Sequence, residues 1–225
     1  MFRHEYKYII ADTDIIILER RLKSLAKLDS HIEIGNSYKI SSLYFDNYRN
    51  DGYRDNENGV DPREKYRIRI YNGDTGHIAL ECKRKERGKT LKESCVISEE
   101  LCSSLMGEKR EHSITEMPAL ARSLRLKELH EKMRPVVIVE YERVPFVYKT
   151  GNVRITIDKQ LCSSKETKKF LSGGYSRRPI MQSGYSILEV KWDGLIPDYL
   201  FQACQMDGLV QTNCSKYYLS RKYHM

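Results

Sequence analysis

Short runs of alternating polar and apolar residues recur along this chain, and they predict strands. Arg3 to Ile10 (RHEYKYII) is the first. Tyr38 to Asp46, Glu64 to Tyr71, His77 to Glu86, Leu91 to Ile97, Pro135 to Tyr148, Val153 to Asp158 and Tyr185 to Trp192 follow, rich in β-branched and aromatic residues. The period changes after Asp12 and Thr13, either of which can cap a helix: Ile15, Leu18, Leu22, Leu25 and Leu28 recur at helical spacing. Further helices are predicted near Ser98 to Met106 and Met117 to Lys132, from Pro197 to about Met206, and for a turn or two after Ser215. Asn47 to Val60 reads as a short helix and loop. Ser163 to Ser183 is polar, basic and glycine-containing, and reads as a mobile loop or long hairpin tip. Turn signals at Asn72-Gly73-Asp74 and Gly151-Asn152 make hairpins, so the expected sheet is antiparallel. No repeat, low-complexity tract or linker divides the 225 residues, and a single domain over 1–225 is expected.

The charges inside those strands carry more information than their number. Successive strand side chains point to opposite faces. Arg67 and Arg69 therefore share a face, as do Glu81, Lys83 and Lys85; Tyr141 and Arg143; Arg154, Thr156 and Asp158; Glu189 and Lys191; and Glu5 and Lys7. Two arrangements satisfy this pattern. One is an open sheet with a solvated face. The other is a closed barrel with its charged faces inward and its apolar faces outward, beneath the amphipathic helices. A solvated face accepts Ser, Thr, Asn and Gln freely, whereas here mid-strand positions are repeatedly Arg, Lys and Glu. The expected fold is accordingly α+β: an antiparallel β-barrel with a charged interior, covered outside by α-helices. An empty lumen of this kind is expected to suffer mutual repulsion, which a polyanion and its metal would relieve. Arginine forks suit phosphate oxygens. Glu189, with help from Glu5 or Glu81, suits a hard divalent cation such as Mg²⁺, which takes one or two carboxylates plus substrate phosphates.

Composition narrows the classes. Lys and Arg number 39 against 31 acidic residues, a net +8, which favours an anionic partner without choosing one. The six cysteines show no Cys-x-x-Cys pair and read as reduced thiols of a cytoplasmic protein. No apolar run approaches the roughly 18 residues of a membrane helix, and charged residues from Arg3 onward argue against a signal peptide. Gly173-Gly174 lacks the Lys-Ser/Thr of a phosphate-binding loop and reads as a turn. The 16 tyrosines, Tyr66 and Tyr71 among them, read as packing rather than stacking platforms. With no glycine-rich RNA-recognition motif and no helix-turn-helix, nucleic acid is not expected as partner. Lys165, Lys168, Lys169, Arg177 and Arg178 read either as a solvated loop or as a guide for polyanions at a tunnel mouth.

Several short motifs, taken in order, resemble a known family. Tyr66-Arg67-Ile68-Arg69, Glu81-Cys82-Lys83-Arg84-Lys85, Tyr141-Glu142-Arg143, Arg154-Ile155-Thr156-Ile157-Asp158, Leu188-Glu189-Val190-Lys191 and Ser215-Lys216-Tyr217 are similar to the VTC domain, the polyphosphate polymerase domain of the vacuolar transporter chaperone complex. That domain lies within the triphosphate tunnel metalloenzymes, the CYTH-like superfamily. Arg3-His4-Glu5-Tyr6-Lys7 and Ser42-Leu43-Tyr44-Phe45-Asp46 fit as well, so the resemblance spans nearly the whole chain. It implies a tunnel that binds triphosphate and an ATP-dependent synthesis of polyphosphate with release of ADP, in the presence of Mn²⁺ or Mg²⁺. It implies that Arg67, Arg69, Lys83, Arg143, Arg154, Lys191 and Lys216 grip phosphates, with Lys85 and Lys92 beside them. Lys7 would lie near the transferred phosphoryl group, and Glu189, with Glu5 and Glu81, would hold the metal. Arg3 stands where the superfamily's Glu-x-Glu-x-Lys signature has its first Glu, which favours Glu189 as the main ligand and a polymerase over a triphosphatase. The fungal members' regulatory and transmembrane regions have no counterpart here, so transport by this chain is not implied, while a membrane partner stays open. A triphosphatase in the same tunnel and a binding module without turnover are the alternatives.

Overall fold

The computed structural model describes residues 3–29, 32, 35–108, 113–206 and 208–224. The chain runs β1 (His4–Ala11), α1 (Asp12–Leu25), β2 (Lys27–Leu28), β3 (Tyr38–Asp46), α2 (Asp51–Glu57), β4 (Arg63–Tyr71), β5 (Asp74–Glu86), β6 (Lys89–Ile97), α3 (Glu99–Leu105), α4 (Ala119–Glu131), β7 (Arg134–Tyr148), β8 (Val153–Ser164), β9 (Arg178–Pro179), β10 (Tyr185–Trp192), α5 (Asp198–Ala203) and α6 (Lys216–Lys222). One antiparallel sheet takes all ten strands, with its main path in the order β1-β10-β8-β7-β3-β4-β5-β6. It curls until its two end strands meet: Arg3, just before β1, makes an antiparallel bridge to Thr90 of β6. Farther along β1, the segment before α6 lies against the strand, with Gln211 bridging Tyr8 and the Thr212 amide donating to the Lys7 carbonyl at 2.8 Å. This is the curled antiparallel α+β fold that the strand pattern predicted.

The two faces of the curled sheet follow the alternation. Outward residues form two apolar cores under helices. Ile68, Ile70, Leu80 and Ile138 pack against Leu101 and Leu105 of α3 and Ala121 and Leu124 of α4. Tyr8, Ile10, Phe146, Ile155, Leu188 and Val190 pack against Ile15, Leu18 and Leu22 of α1 and Leu200 of α5. Burying each Leu, Ile or Phe contributes roughly 1.5–3 kcal/mol, so these contacts hold the helices on the sheet. Asp12 and Asp14 in the first turn of α1 and Lys23 in its last complement the helix dipole. The helical spacing predicted through Leu28 stops short. Ala26 is extended, and Leu28 instead pairs with Phe146 on β7, because the sheet edge offers it a backbone ladder.

The inner face is charged along part of its length and apolar along the rest. Tyr38, Ile40, Tyr44, Val137, Val139, Tyr141, Leu161 and Ile187 form a third buried cluster, joined by Ile180, Cys214 and Tyr217. The helix α6 thus contributes to the inside, in contrast with the other large helices. Its Tyr217 hydroxyl donates to Asp46, whose carboxylate also accepts the Gly52 amide at 2.9 Å and the Tyr53 amide at 3.2 Å.

The predicted mobile loop at Ser163–Ser183 is a packed strap. The strand β8 runs on past Asp158 to Ser164. Its ladder with β7 shifts register at Glu140/Glu142, and Gln160 takes φ 52°, the signature of a bulge. Beyond it, Phe170 and Tyr175 enter the outer core and Ile180 the inner cluster. Glu140 pins the strap by accepting from Tyr175 Oη at 2.6 Å and Arg177 Nε at 2.5 Å. The three anchoring apolar residues are too far apart to make a periodic pattern, so the polar composition around them dominates the sequence signal. No helix among the described residues is long and apolar enough to cross a membrane.

Candidate anion-binding cavity

The charged part of the inner face encloses a cavity of about 430 Å³. Among the described residues, thirteen Lys and Arg side chains line it, with Glu5 and Glu189 as its lining carboxylates. Tyr44, Tyr141 and Tyr217 line it as well. The same three tyrosines belong to the inner apolar cluster, which gives the cavity an apolar floor. All the side chains assigned to phosphate by resemblance converge here: Lys7, Arg67, Arg69, Lys83, Lys85, Lys92, Arg143, Arg154, Lys191 and Lys216.

Strand pairing explains the convergence. Lys7 stands opposite Glu189 and Glu5 opposite Lys191 on β1 and β10. Arg67 faces Glu81 and Lys65 faces Lys83 on β4 and β5. Directly opposed residues share a face, so each register brings a cation and a carboxylate, or two cations, to the same spot. Lys7 Nζ lies 2.7 Å from Glu5 and 3.6 Å from Glu189. Lys83 reaches Glu5 at 2.8 Å and Lys191 reaches Glu189 at 3.0 Å. Arg143 grips Asp158 at 2.6 and 2.8 Å and approaches Glu189 at 3.5 Å. Lys216, at the start of α6, lies 2.6 Å from Asp158 Oδ2, the oxygen that also accepts Arg143 Nη2. Glu81 is shared by Arg67 at 2.7 Å, Lys92 at 3.0 Å and Arg69 at 3.9 Å. Arg154 is tied to Asp29. The expectation of a lumen in unrelieved repulsion is therefore corrected: buried carboxylates neutralise much of it before any ligand arrives.

Burial penalises the charged form of Glu5, Glu81, Asp158, Glu189 and the lysines Lys65, Lys83 and Lys191, and neighbouring charge decides the outcome. For Glu5, burial and the Glu189 carboxylate both oppose ionisation, yet Lys7, Lys191 and Lys83 outweigh them and hold it below the ordinary carboxylate range. Glu189 is likewise held ionised against burial, by Lys191 first among the charges. Arg67 and Arg69 do the same for Glu81, and Arg143 and Lys216 for Asp158. Three lysines go the other way, and in Lys191 burial outweighs the Glu189 and Glu5 carboxylates. Burial, then Lys7, pushes Lys83 down to about 7 despite its Glu5 partner; with its side chain 32% exposed, cavity water moderates that cost. Burial, then Arg63, Lys83 and Lys7, pushes Lys65 down to about 7, with Asp46 opposing.

Sequence reasoning missed Arg63 and Lys65, which line the cavity, and Asp158, the counter-charge of two lining cations. Lys65 precedes Arg67 by two residues, so extending the same alternation one step back along the strand finds it. Asp158 was placed on the charged face without a role, because only the β7–β8 register shows it opposite Arg143. The metal set is split by the structure. Glu5 and Glu189 come together on Lys7, whereas Glu81 is occupied by Arg67, Lys92 and Arg69. Arg3, the departure from the family signature, pairs with Asp193 at 2.6 Å. None of Lys165, Lys168, Lys169, Arg177 and Arg178 lines the cavity. Arg177 is turned onto Glu140 and Lys169 onto Glu166. All six cysteines are free thiols, and Tyr66 is packed in the outer core.

The sequence of residues 2–224 matches the model of the VTC domain. The chain belongs to the VTC domain family. No curated protein matches it. Among solved structures, a candidate adenylate cyclase from Bacillus halodurans is similar to this VTC domain with a TM-score of 0.50 at 13% identity, covering 90% of this chain and 87% of that one. The PH1819 protein of Pyrococcus horikoshii is similar with a TM-score of 0.44 at 14% identity, covering 89% and 83%. At such identities the first likeness speaks to the fold.

The depressed Lys65 fixes the direction of one pH effect. In the unfolded chain this lysine returns to about 10.5, so between about pH 7 and pH 10 the unfolded state binds more protons and stability rises with pH. Lys83 acts in the same direction. The thermal midpoint of the ligand-free protein is expected to rise from pH 7 to about pH 7.7, below the region around pH 8.5 where the cysteines of the unfolded chain ionise and, being raised in the fold, act in the opposite direction. Tripolyphosphate, which favours the charged lysine, is expected to flatten that rise. Differential scanning fluorimetry across this range checks it; a ligand-free midpoint that falls with pH contradicts the assignment.

Proposed function

We propose that this VTC domain is a metal-dependent polyphosphate polymerase, transferring the terminal phosphoryl group of ATP to phosphate or to a polyphosphate end. The observation that carries the reading is the convergence of Lys7, Arg67, Arg69, Arg143, Lys191 and Lys216 on one cavity, around a pair of ionised carboxylates. Phosphoryl transfer needs little covalent help from the protein; positioning and charge neutralisation are most of the task. Arg67, Arg69 and Arg143 present rigid forks to phosphate oxygens. Lys7 stands between Glu5 and Glu189, where it can follow charge at the reacting phosphate. The acceptor is already an anion, so no strong general base is needed.

The donor set fits a hard divalent cation. Glu5 and Glu189 offer oxygen ligands kept ionised by their lysines. Among the described residues no group of three or more His, Cys, Asp or Glu stands ready as a metal cage. Two carboxylates completed by substrate phosphates match the habit of Mg²⁺ or Mn²⁺. When bound, such an ion would neutralise charge on the transferring phosphoryl group.

The test is product analysis. With ATP and Mn²⁺ or Mg²⁺, the protein is expected to release ADP and accumulate phosphoanhydride chains, resolved on gels and by phosphorus NMR. Free phosphate as the sole product would replace the polymerase with a triphosphatase in the same cavity. Binding of tripolyphosphate without turnover would leave a binding module.

A further inference from the structure

Thr156 lies on the charged face of β8, between Arg154 and Asp158, and lines the cavity wall. It is 2% exposed, and its Oγ1 is shut off from solvent with no hydrogen-bond partner among the described residues. Arg3 Nε, Asp193 Oδ1, Arg154 Nε and Arg221 Nη1 share that condition, but their side chains are anchored. Arg3 and Asp193 pair with each other, Arg154 holds Asp29, and Arg221 donates to Asn50 Oδ1 at 2.6 Å. The hydroxyl is the one polar group of the Thr156 side chain, so nothing else anchors it. A buried hydroxyl left unpaired is a standing cost to the fold, and Val would fill the same shape without it.

The strand register names an acceptor. Thr156 stands opposite Pro145 on β7, which has no polar side chain, and opposite Glu189 on β10. Directly opposed residues have Cβ atoms roughly 4.5–5.5 Å apart, so a hydroxyl and a carboxylate there meet by side-chain rotation alone. Glu189 is itself flanked by two opposed residues, Lys7 on β1 and Thr156 on β8. In the structure it leans to its cations, with Lys191 at 3.0 Å, Arg143 at 3.5 Å and Lys7 at 3.6 Å, and leaves Thr156 unused. Phosphate oxygens compete for those same cations, and a divalent ion draws the carboxylate away from them. A carboxylate that ligates a metal is ordinarily held by a hydrogen-bond donor behind it. Thr156 is an uncommitted donor at that position.

We infer that Thr156 is a positioning residue for Glu189 in the loaded cavity: its hydroxyl donates to the carboxylate once Glu189 turns from its cations to a divalent ion, and fixes the carboxylate's orientation there. The inference rests on the metal-dependent reading above, and adds to it a residue that touches neither the phosphates nor the ion.

Thr156→Val, Thr156→Ser and the double substitution Thr156→Val with Glu189→Gln test it. Mn²⁺ affinity is measured by titration calorimetry and by electron paramagnetic resonance of free Mn²⁺, with the protein in excess over tripolyphosphate. Tripolyphosphate affinity is measured separately without metal. Thr156→Val is expected to weaken Mn²⁺ binding at least about tenfold, the scale on which such outer partners act, with metal-free tripolyphosphate affinity within about twofold of the wild type. Thr156→Ser is expected to keep most of the Mn²⁺ affinity. In the Glu189→Gln background the valine is expected to cause no further weakening. Because an unpaired buried hydroxyl is removed, the thermal midpoint of ligand-free Thr156→Val is expected to be unchanged or higher by up to roughly 6 °C. A midpoint that falls means that the hydroxyl is already partnered without metal, and overturns the inference. Unchanged Mn²⁺ affinity in Thr156→Val, equal weakening of metal-free tripolyphosphate, or a valine effect that persists with Glu189→Gln overturns it as well. A wild type that binds tripolyphosphate but no Mn²⁺ overturns the metal-dependent reading together with it.

Discussion

Asp158→Asn is expected to lower the thermal midpoint by roughly 6–20 °C. Asp158 is fully buried and accepts Arg143 Nε at 2.6 Å and Nη2 at 2.8 Å, with Lys216 Nζ at 2.6 Å. The amide keeps the shape but removes the charge, and its own NH₂ points a donor at a donor. Removing one member of a buried ion pair typically costs about 3–5 kcal/mol, because the partner is left charged and dry. Each kcal/mol shifts the midpoint by about 2–4 °C in a domain of this size. Here two cations are orphaned, one on β7 and one on α6, so the loss also loosens the helix that supplies Tyr217 to the cavity floor. Both cations face the cavity, so tripolyphosphate is expected to recover more stability in the variant than it adds to the wild type. A variant melting within about 2 °C of the wild type would show that Asp158 is not the counter-charge of this pair.

That prediction depends on a residue whose importance the alternating pattern could not express. Period-two alternation is a geometric consequence of the strand, so it located the charged face of β1, β4, β5, β8 and β10 from sequence. It also separated that face from the outward one, where Ile68, Leu80, Ile155 and Leu188 meet the helices. Pairing depends on register, which alternation leaves open. Glu81 was read as a possible metal ligand, and the β4–β5 register gives it to Arg67 instead. Glu5 and Glu189 come together because β1 and β10, the first and last long strands in the chain, lie side by side. Bulges erase the pattern locally. Gln160 interrupts β8, and the alternation that reached Asp158 does not predict Leu161 on the same inner side. The strap is harder still: Phe170, Tyr175 and Ile180 anchor it from opposite sides of the sheet, and no single period connects them.

Glu189→Gln is expected to separate turnover from binding. Glu189 touches Lys191 at 3.0 Å, Arg143 at 3.5 Å and Lys7 at 3.6 Å. It is held ionised well below the ordinary range, burial opposing and Lys191 leading the charges that prevail. An acid kept charged at the centre of a polyanion site repels the phosphates it sits among, so for binding alone it is a liability. Its retention makes sense if the charge is used for a metal during reaction. Substituting the amide frees Lys191 for phosphate oxygens, leaves Lys7 on Glu5 and Arg143 on Asp158, and removes one of the two carboxylates that fit the ion. Metal-free tripolyphosphate is therefore expected to bind the variant as tightly as the wild type or up to about tenfold tighter, since one removed repulsion at this depth is worth on the order of 1 kcal/mol or more. The kcat for ATP-dependent chain formation is expected to fall at least about 100-fold, the scale seen when one group that neutralises transition-state charge is lost. Higher Mn²⁺ should recover part of that loss, because Glu5 remains. Titration calorimetry gives the first quantity and product analysis the second. Unchanged turnover with tighter binding would leave Glu189 as a structural counter-charge and move the metal to other ligands. Weaker binding with lost turnover would mean that its hold on Lys191 and Arg143, rather than its charge toward an ion, is what the cavity requires.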